Sequence, residues 1–145
     1  MEKFYIKYGL GITGILIIYF LITKLLGLHV YPILSSVNAI VFGAGILMVI
    51  KKYKASSSSF KYEDGFQLGL ITGGIATILF SIFMAVYIFQ IDSEFATAIL
   101  DSWGLNYNKG GLILIISLIM MGFSTTLILT LAFMQLLKES WNQKK

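Results

Sequence analysis

The sequence predicts an all-α membrane protein: a four-helix transmembrane bundle with both termini cytoplasmic and a short interfacial helix in the outer loop between helices 3 and 4. Three observations predict it. The chain is 57% hydrophobic and only 12% charged, with mean hydropathy +0.85, whereas a soluble domain carries about 25% charged residues. Four apolar segments, about 8–28, 31–50, 65–91 and 111–137, each hold the ~20 residues that cross a ~30 Å hydrocarbon layer. Lysines are distributed unevenly between the connections. Nine (Lys3, Lys7, Lys51, Lys52, Lys54, Lys61, Lys138, Lys144, Lys145) fall on one side and two (Lys24, Lys109) on the other, which by the positive-inside rule puts both ends of the chain in the cytoplasm. Residues 1–145 form one transmembrane domain.

The first segment follows Lys3 and Lys7, as a signal peptide would. Its apolar run is too long for a 7–15-residue signal core and no small-residue cleavage site follows, so it predicts a retained span. Lys24, one turn inside its far end, is expected to snorkel to the headgroups. A tight outer turn, 27–32, leads to Pro32, which suits the first turn of the second helix because its missing N–H is not needed there. In that helix Asn38 is the one amide side chain at depth, a possible polar core, and is expected to bond a neighbouring helix or a backbone carbonyl. Ser35, Ala39 and Gly43 step by four.

The third segment carries the strongest pattern. Gly65, Gly69, Gly73, Thr77, Ser81 and Ala85 recur every four residues, so they stack on one helical face as a shallow groove that admits another helix at short range. Packing within the bundle is the expected use, and a homo-oligomer interface is the alternative. In the fourth segment Gly122, Thr126 and Thr130 repeat the step, and Thr125 and Thr126 can bond back to their own helix. In the outer loop Phe95, Ile99 and Trp103 recur at i, i+4 and i+8 beside Ala98, with Ser93 as N-cap and Gly104 as stop, which predicts a helix lying on the outer surface.

On the lysine-rich side, Lys51, Lys52, Lys54 and Lys61 flank a serine run with Tyr53, Phe60 and Tyr62. This predicts a topology signal, with contact to anionic lipid or a partner as the sharper reading. All eleven basic residues are Lys; without the bidentate fork of Arg the net charge of +4 does not point to nucleic acid.

The chain has no cysteine and one histidine, His29, which excludes disulfides, thiolate chemistry and bis-histidine haem ligation. Gly9, Gly11 and Gly14 match G-x-G-x-x-G literally, but they enter a membrane span with no preceding strand and no acid about 20 residues on, so the dinucleotide reading fails and close helix packing replaces it. A surface enzyme would need His29 or the outer acids Asp92, Glu94 and Asp101, none of which has an evident partner or orienting group; the acids are not spaced as a calcium loop. No catalytic residue, metal ligand or cofactor is therefore predicted.

Lys51 to Asp92 carries a further signal. A basic end of the second span is followed by Ser59-Phe60, then by Asp64-Gly65-Phe66-Gln67-Leu68-Gly69, then by a long span closing at Tyr87 and Ile91-Asp92. This stretch resembles an uncharacterised family of small four-span membrane proteins of Bacteroidota, a domain of unknown function. Members often place a proline after the acid, where Ser93 stands here. The resemblance implies the bacterial inner (cytoplasmic) membrane and no activity. The expected role is that of a non-enzymatic accessory or structural subunit embedded in lipid beside a protein partner or further copies of itself. The alternative is a small oligomeric transporter or channel lined by Asn38, Thr72, Thr77, Ser81, Ser124, Thr125 and Thr126.

Overall fold

A computed structural model describes residues 1–28, 31–102, 104–105 and 110–138. Its elements are α1 (Glu2–Leu25), α2 (Pro32–Ser56), α3 (Tyr62–Val86) with a π-helical turn at its end (Tyr87–Ile91), α4 (Glu94–Ser102) and α5 (Gly110–Leu137), with no strand among the described residues. Four helical stretches, Glu2–Leu25, Ser36–Ser56, Tyr62–Ile91 and Gly110–Leu137, are long and apolar enough to cross a membrane.

Helix ends differ from the apolar limits in a consistent way. α1 starts at Glu2, six residues before the apolar run, and α2 continues to Ser56 through three lysines. An apolar run marks where hydrocarbon begins; the helix continues beyond it because each further turn keeps backbone N–H and C=O groups paired. Pro32 opens α2 within its first turn, after Tyr31 in extended conformation (φ −84°, ψ 113°).

Two glycines close helices by the same device. Gly27 (φ +68°) and Gly104 (φ +72°) adopt the left-handed conformation. Leu28 N–H then donates to Thr23 C=O (2.9 Å) and Leu105 N–H to Leu100 C=O (2.9 Å), the long bond of a Schellman cap. At the start of α3 the Asp64 carboxylate accepts from Lys61 N–H (3.0 Å), satisfying one of the first-turn donors that helix geometry leaves unpaired.

α3 lies at the centre and packs on α1, α2 and α5. One core cluster joins Leu68 and Ala76 of α3 to Ile12 and Leu16 of α1, Ile46, Val49 and Ile50 of α2, and Met134 of α5. A second cluster, at the other end, joins Met84, Tyr87 and Ile88 to Phe95 and Ala96 of α4 and Leu114 of α5. Phe4 sits on Tyr53 (centroids 5.5 Å) and Tyr19 donates to Leu34 C=O (2.8 Å), so α1 and α2 are antiparallel. Met1, Ser56 and Leu137 share one end of the bundle, and α4 the other.

The helix at 94–102 corrects two sequence expectations. Its N-terminal side-chain cap is Asp92 rather than Ser93: Asp92 Oδ1 accepts from Phe95 N–H (3.1 Å). Its buried face is Phe95, Ala96 and Leu100, with Ile99 half-buried and Ala98 exposed. That face covers the π turn and α5, so the helix caps the bundle end. Trp103 and His29 lie outside the described residues, as does Lys109.

Candidate functional site

The four-step glycine ridge of α3 meets a four-step ridge of α5 running the opposite way. Cβ atoms placed on the glycines show how close the backbones are. On Gly65 a Cβ would stand 2.5 Å from Met134 Sδ, and on Gly69 2.6 Å from Thr130 Cγ2. On Gly73 it would collide with Thr126, and on Gly122 it would lie 2.5 Å from Thr77 Cγ2. Each descent of four residues on α3 is thus met by an ascent of four on α5, and the glycine changes sides at the last step. Gly65, Gly69, Gly73 and Thr77 belong to α3; Met134, Thr130, Thr126 and Gly122 answer from α5. Small residues let the backbones approach where lipid supplies no hydrophobic drive between helices.

Thr hydroxyls fill this seam in two ways. Thr126 Oγ1 donates to Gly122 C=O (2.7 Å), one turn back on its own helix. Thr77 and Thr130 are buried, and their Oγ1 atoms have no hydrogen-bond partner among the described residues. Each lies beside a glycine of the facing helix, within 2.6–2.7 Å of the added Cβ, and so near the direction of a glycine Cα–H. Weak Cα–H···O contacts of this kind recur at close helix crossings.

The remaining packing candidates divide. Ser81 is buried and Ala85 half-buried. Gly43 is buried, but its added Cβ would sit an ordinary 3.5 Å from Leu129, so the site does not demand glycine; Ala39 is exposed. Of the three glycines in α1 only Gly9 is used, where a Cβ would stand 2.8 Å from Ile75 Cγ2; Gly11 and Gly14 face open space. Asn38 also departs from expectation. Its Oδ1 is buried without a hydrogen-bond partner among the described residues, as is Thr72 Oγ1, and nothing in the structure explains either.

The end of the bundle that α4 covers holds a charged cluster that sequence reasoning missed. Lys24 Nζ and Asp92 Oδ2 form an ion pair at 2.7 Å, with each side chain about a quarter exposed. Lys24 therefore has a carboxylate partner in place of simple snorkelling, and Asp92 is not a merely solvated acid. Aromatic rings surround the pair. Lys24 Nζ lies 5.2 Å from the centre of Phe95 and 6.0 Å from that of Tyr87, within cation–π range. Phe20 meets Tyr87 (4.9 Å), Phe95 (5.6 Å) and Phe83 (5.9 Å) edge-on. The π turn joins Asp92 to this group: Asp92 N–H reaches back five residues to Tyr87 C=O (2.9 Å). The hydrogen bond from Lys24 holds the Asp92 carboxyl below its ordinary value, with the Phe95 N–H adding to the effect. Among the described residues no His, Cys, Asp and Glu group of metal-binding size forms.

At the opposite end Lys51, Lys52 and Lys61 are exposed. Lys54 is half-buried, donates to Leu137 C=O (3.2 Å) and stands 5.9 Å from the Phe60 ring centre. Beside it lies a cavity of about 430 Å³ between the α2–α3 connection and the end of α5.

Comparison with known proteins gives no match: no family model fits the chain, and no curated protein or solved structure is similar to it.

Proposed function

We propose that the chain is a non-enzymatic, multi-pass protein of a bacterial inner membrane, with N-in/C-in topology, acting as an accessory or structural subunit beside a membrane partner. The observation that carries this reading is the α3–α5 seam. It takes up Gly65, Gly69, Gly73 and Gly122 and the hydroxyls of Thr77, Thr126 and Thr130 in packing, while the one ion pair among the described residues sits at the end of the bundle and is internally neutralised. Several large apolar side chains of α5, among them Leu112, Ile116, Met120 and Ile128, face outward, in contact with lipid or another helix. The inner-membrane and Bacteroidota assignments rest on the sequence resemblance at Lys51–Asp92 and are part of the same proposal.

A photo-crosslinker at Met120 or Ile128, activated in native membranes, tests the reading. The expected result is one discrete protein adduct from both positions, with the same species co-purifying in mild detergent. Lipid adducts alone, with a lone monomer recovered under several mild conditions, overturn it. A second reading, an oligomeric transporter, draws on the unpartnered oxygens of Asn38, Thr72, Thr77 and Thr130. It is less supported, because Thr77 and Thr130 are enclosed by glycine contacts and Ser124 is exposed on the outside of the bundle.

A further inference from the structure

The cavity at the lysine-bearing end has a chemical division of its own. Phe60, Met134 and Leu137 give it an apolar wall, while Lys54 and Lys138 bring two ammonium groups and Ser57 and Tyr62 two hydroxyls. It lies where α2 and α5 end and α3 begins, the level at which apolar helix gives way to charged connections. Its volume of about 430 Å³ is within the ~300–1,000 Å³ range of small-molecule sites. The α5 terminus leaves its last carbonyls without helical partners, and Lys54 is drawn over the rim by one of them, Leu137 C=O.

We propose that this cavity binds the phosphate of an anionic membrane lipid. The phosphate lies between Lys54 and Lys138, within reach of the Ser57 and Tyr62 hydroxyls, and the glycerol and first acyl carbons lie against Phe60, Met134 and Leu137. The chemistry recognised is a phosphate ester. The apolar wall, and a position where the spans leave hydrocarbon, assign its source to lipid in place of a soluble phosphate. The three exposed lysines nearby, Lys51, Lys52 and Lys61, lie outside the cavity lining and contribute only general surface attraction. The proposal does not depend on a protein partner, so it stands or falls separately from the function proposed above.

The test is native mass spectrometry of the full chain in neutral detergent, titrated with dioleoylphosphatidylglycerol against dioleoylphosphatidylcholine. Lys138 is exposed, so Lys138→Gln leaves the fold intact. At ~1 kcal/mol per lysine, retained phosphatidylglycerol affinity is expected to fall about fivefold in Lys138→Gln, to return within about twofold in Lys138→Arg, and to change less than about twofold in Lys51→Gln. Equal losses in Lys138→Gln and Lys51→Gln reduce the effect to surface charge and overturn the site. Displacement of the lipid by glycerol phosphate or inorganic phosphate at matching concentration overturns the lipid as its source.

Discussion

Gly73 and Thr126 show at single-residue scale what holds the bundle. A methyl group on Gly73 meets Thr126 Cγ2 and Oγ1 at once, and both positions belong to packed helices. Gly73→Ala is therefore expected to destabilise by about 1–3 kcal/mol through overpacking. In a Thr126→Ala background the two nearest atoms are gone and a Cβ at 3.0 Å remains, so rescue is partial. A double-mutant cycle read by reversible unfolding in detergent should give a coupling of roughly 0.5–3 kcal/mol; strict additivity would mean that the seam does not exist in solution. Gly11→Ala is the contrast. It places its methyl in open space and is expected to be neutral or stabilising by about 0.4–1 kcal/mol. In the sequence these glycines look alike. The four-residue step was legible along the third span, but its partner was not, because spacing names a face and says nothing about what the face meets. The same limit hid which glycine in 9–14 mattered.

At the scale of an element, the π turn at the end of α3 links Asp92 to both α1 and α4. One carboxylate oxygen holds Lys24 and the other caps α4 at Phe95. The two functions separate by substitution, since Asn keeps an acceptor for Phe95 N–H and loses the charge. The folded-state carboxyl of Asp92 is held below its ordinary 3.8. A depressed carboxyl contributes stability that is fully present above the unfolded value and is lost as pH falls through the folded one. Wild type and Asp92→Asn are accordingly expected to share one melting temperature in strong acid, to diverge, wild type higher, as pH rises through the folded value toward about 4, and to keep a constant gap above it. Parallel curves at every pH would show that the pair contributes nothing. Asp92→Ala should fall below Asp92→Asn at neutral pH, because it also removes the cap. Sequence reading placed Lys24 and Asp92 at the same end of the bundle, Lys24 as a charge snorkelling to the headgroups and Asp92 as one of three outer acids without an evident partner. Sixty-eight positions separate them, and only the parallel packing of α1 on α3, with the π turn, brings them together.

Across the whole molecule, four long apolar helices were legible because hydrocarbon sets a length that composition alone reveals. The centrality of α3 was legible from its density of small residues. The cap that α4 makes over the bundle end was read as a helix lying on the membrane, since an amphipathic stripe looks the same whether it faces lipid or protein. Helix directions fix which connections share an end: Lys3, Lys7, Lys51, Lys52, Lys54, Lys61 and Lys138 gather at one, Lys24 at the other. Lys24 is neutralised by Asp92, which sharpens the asymmetry that a count of lysines measures. Ser58 and Ser93 are exposed and sit at opposite ends, and the chain has no cysteine of its own, so Ser58→Cys and Ser93→Cys each carry a unique thiol. With a membrane-impermeant maleimide on intact cells, Ser93→Cys is expected to label at once and Ser58→Cys only after the membrane is opened. The reverse pattern would invert the orientation while leaving the bundle intact. Labelling of both thiols without opening the membrane would mean that the two ends are not separated by a bilayer, and the four-span architecture would fall with it.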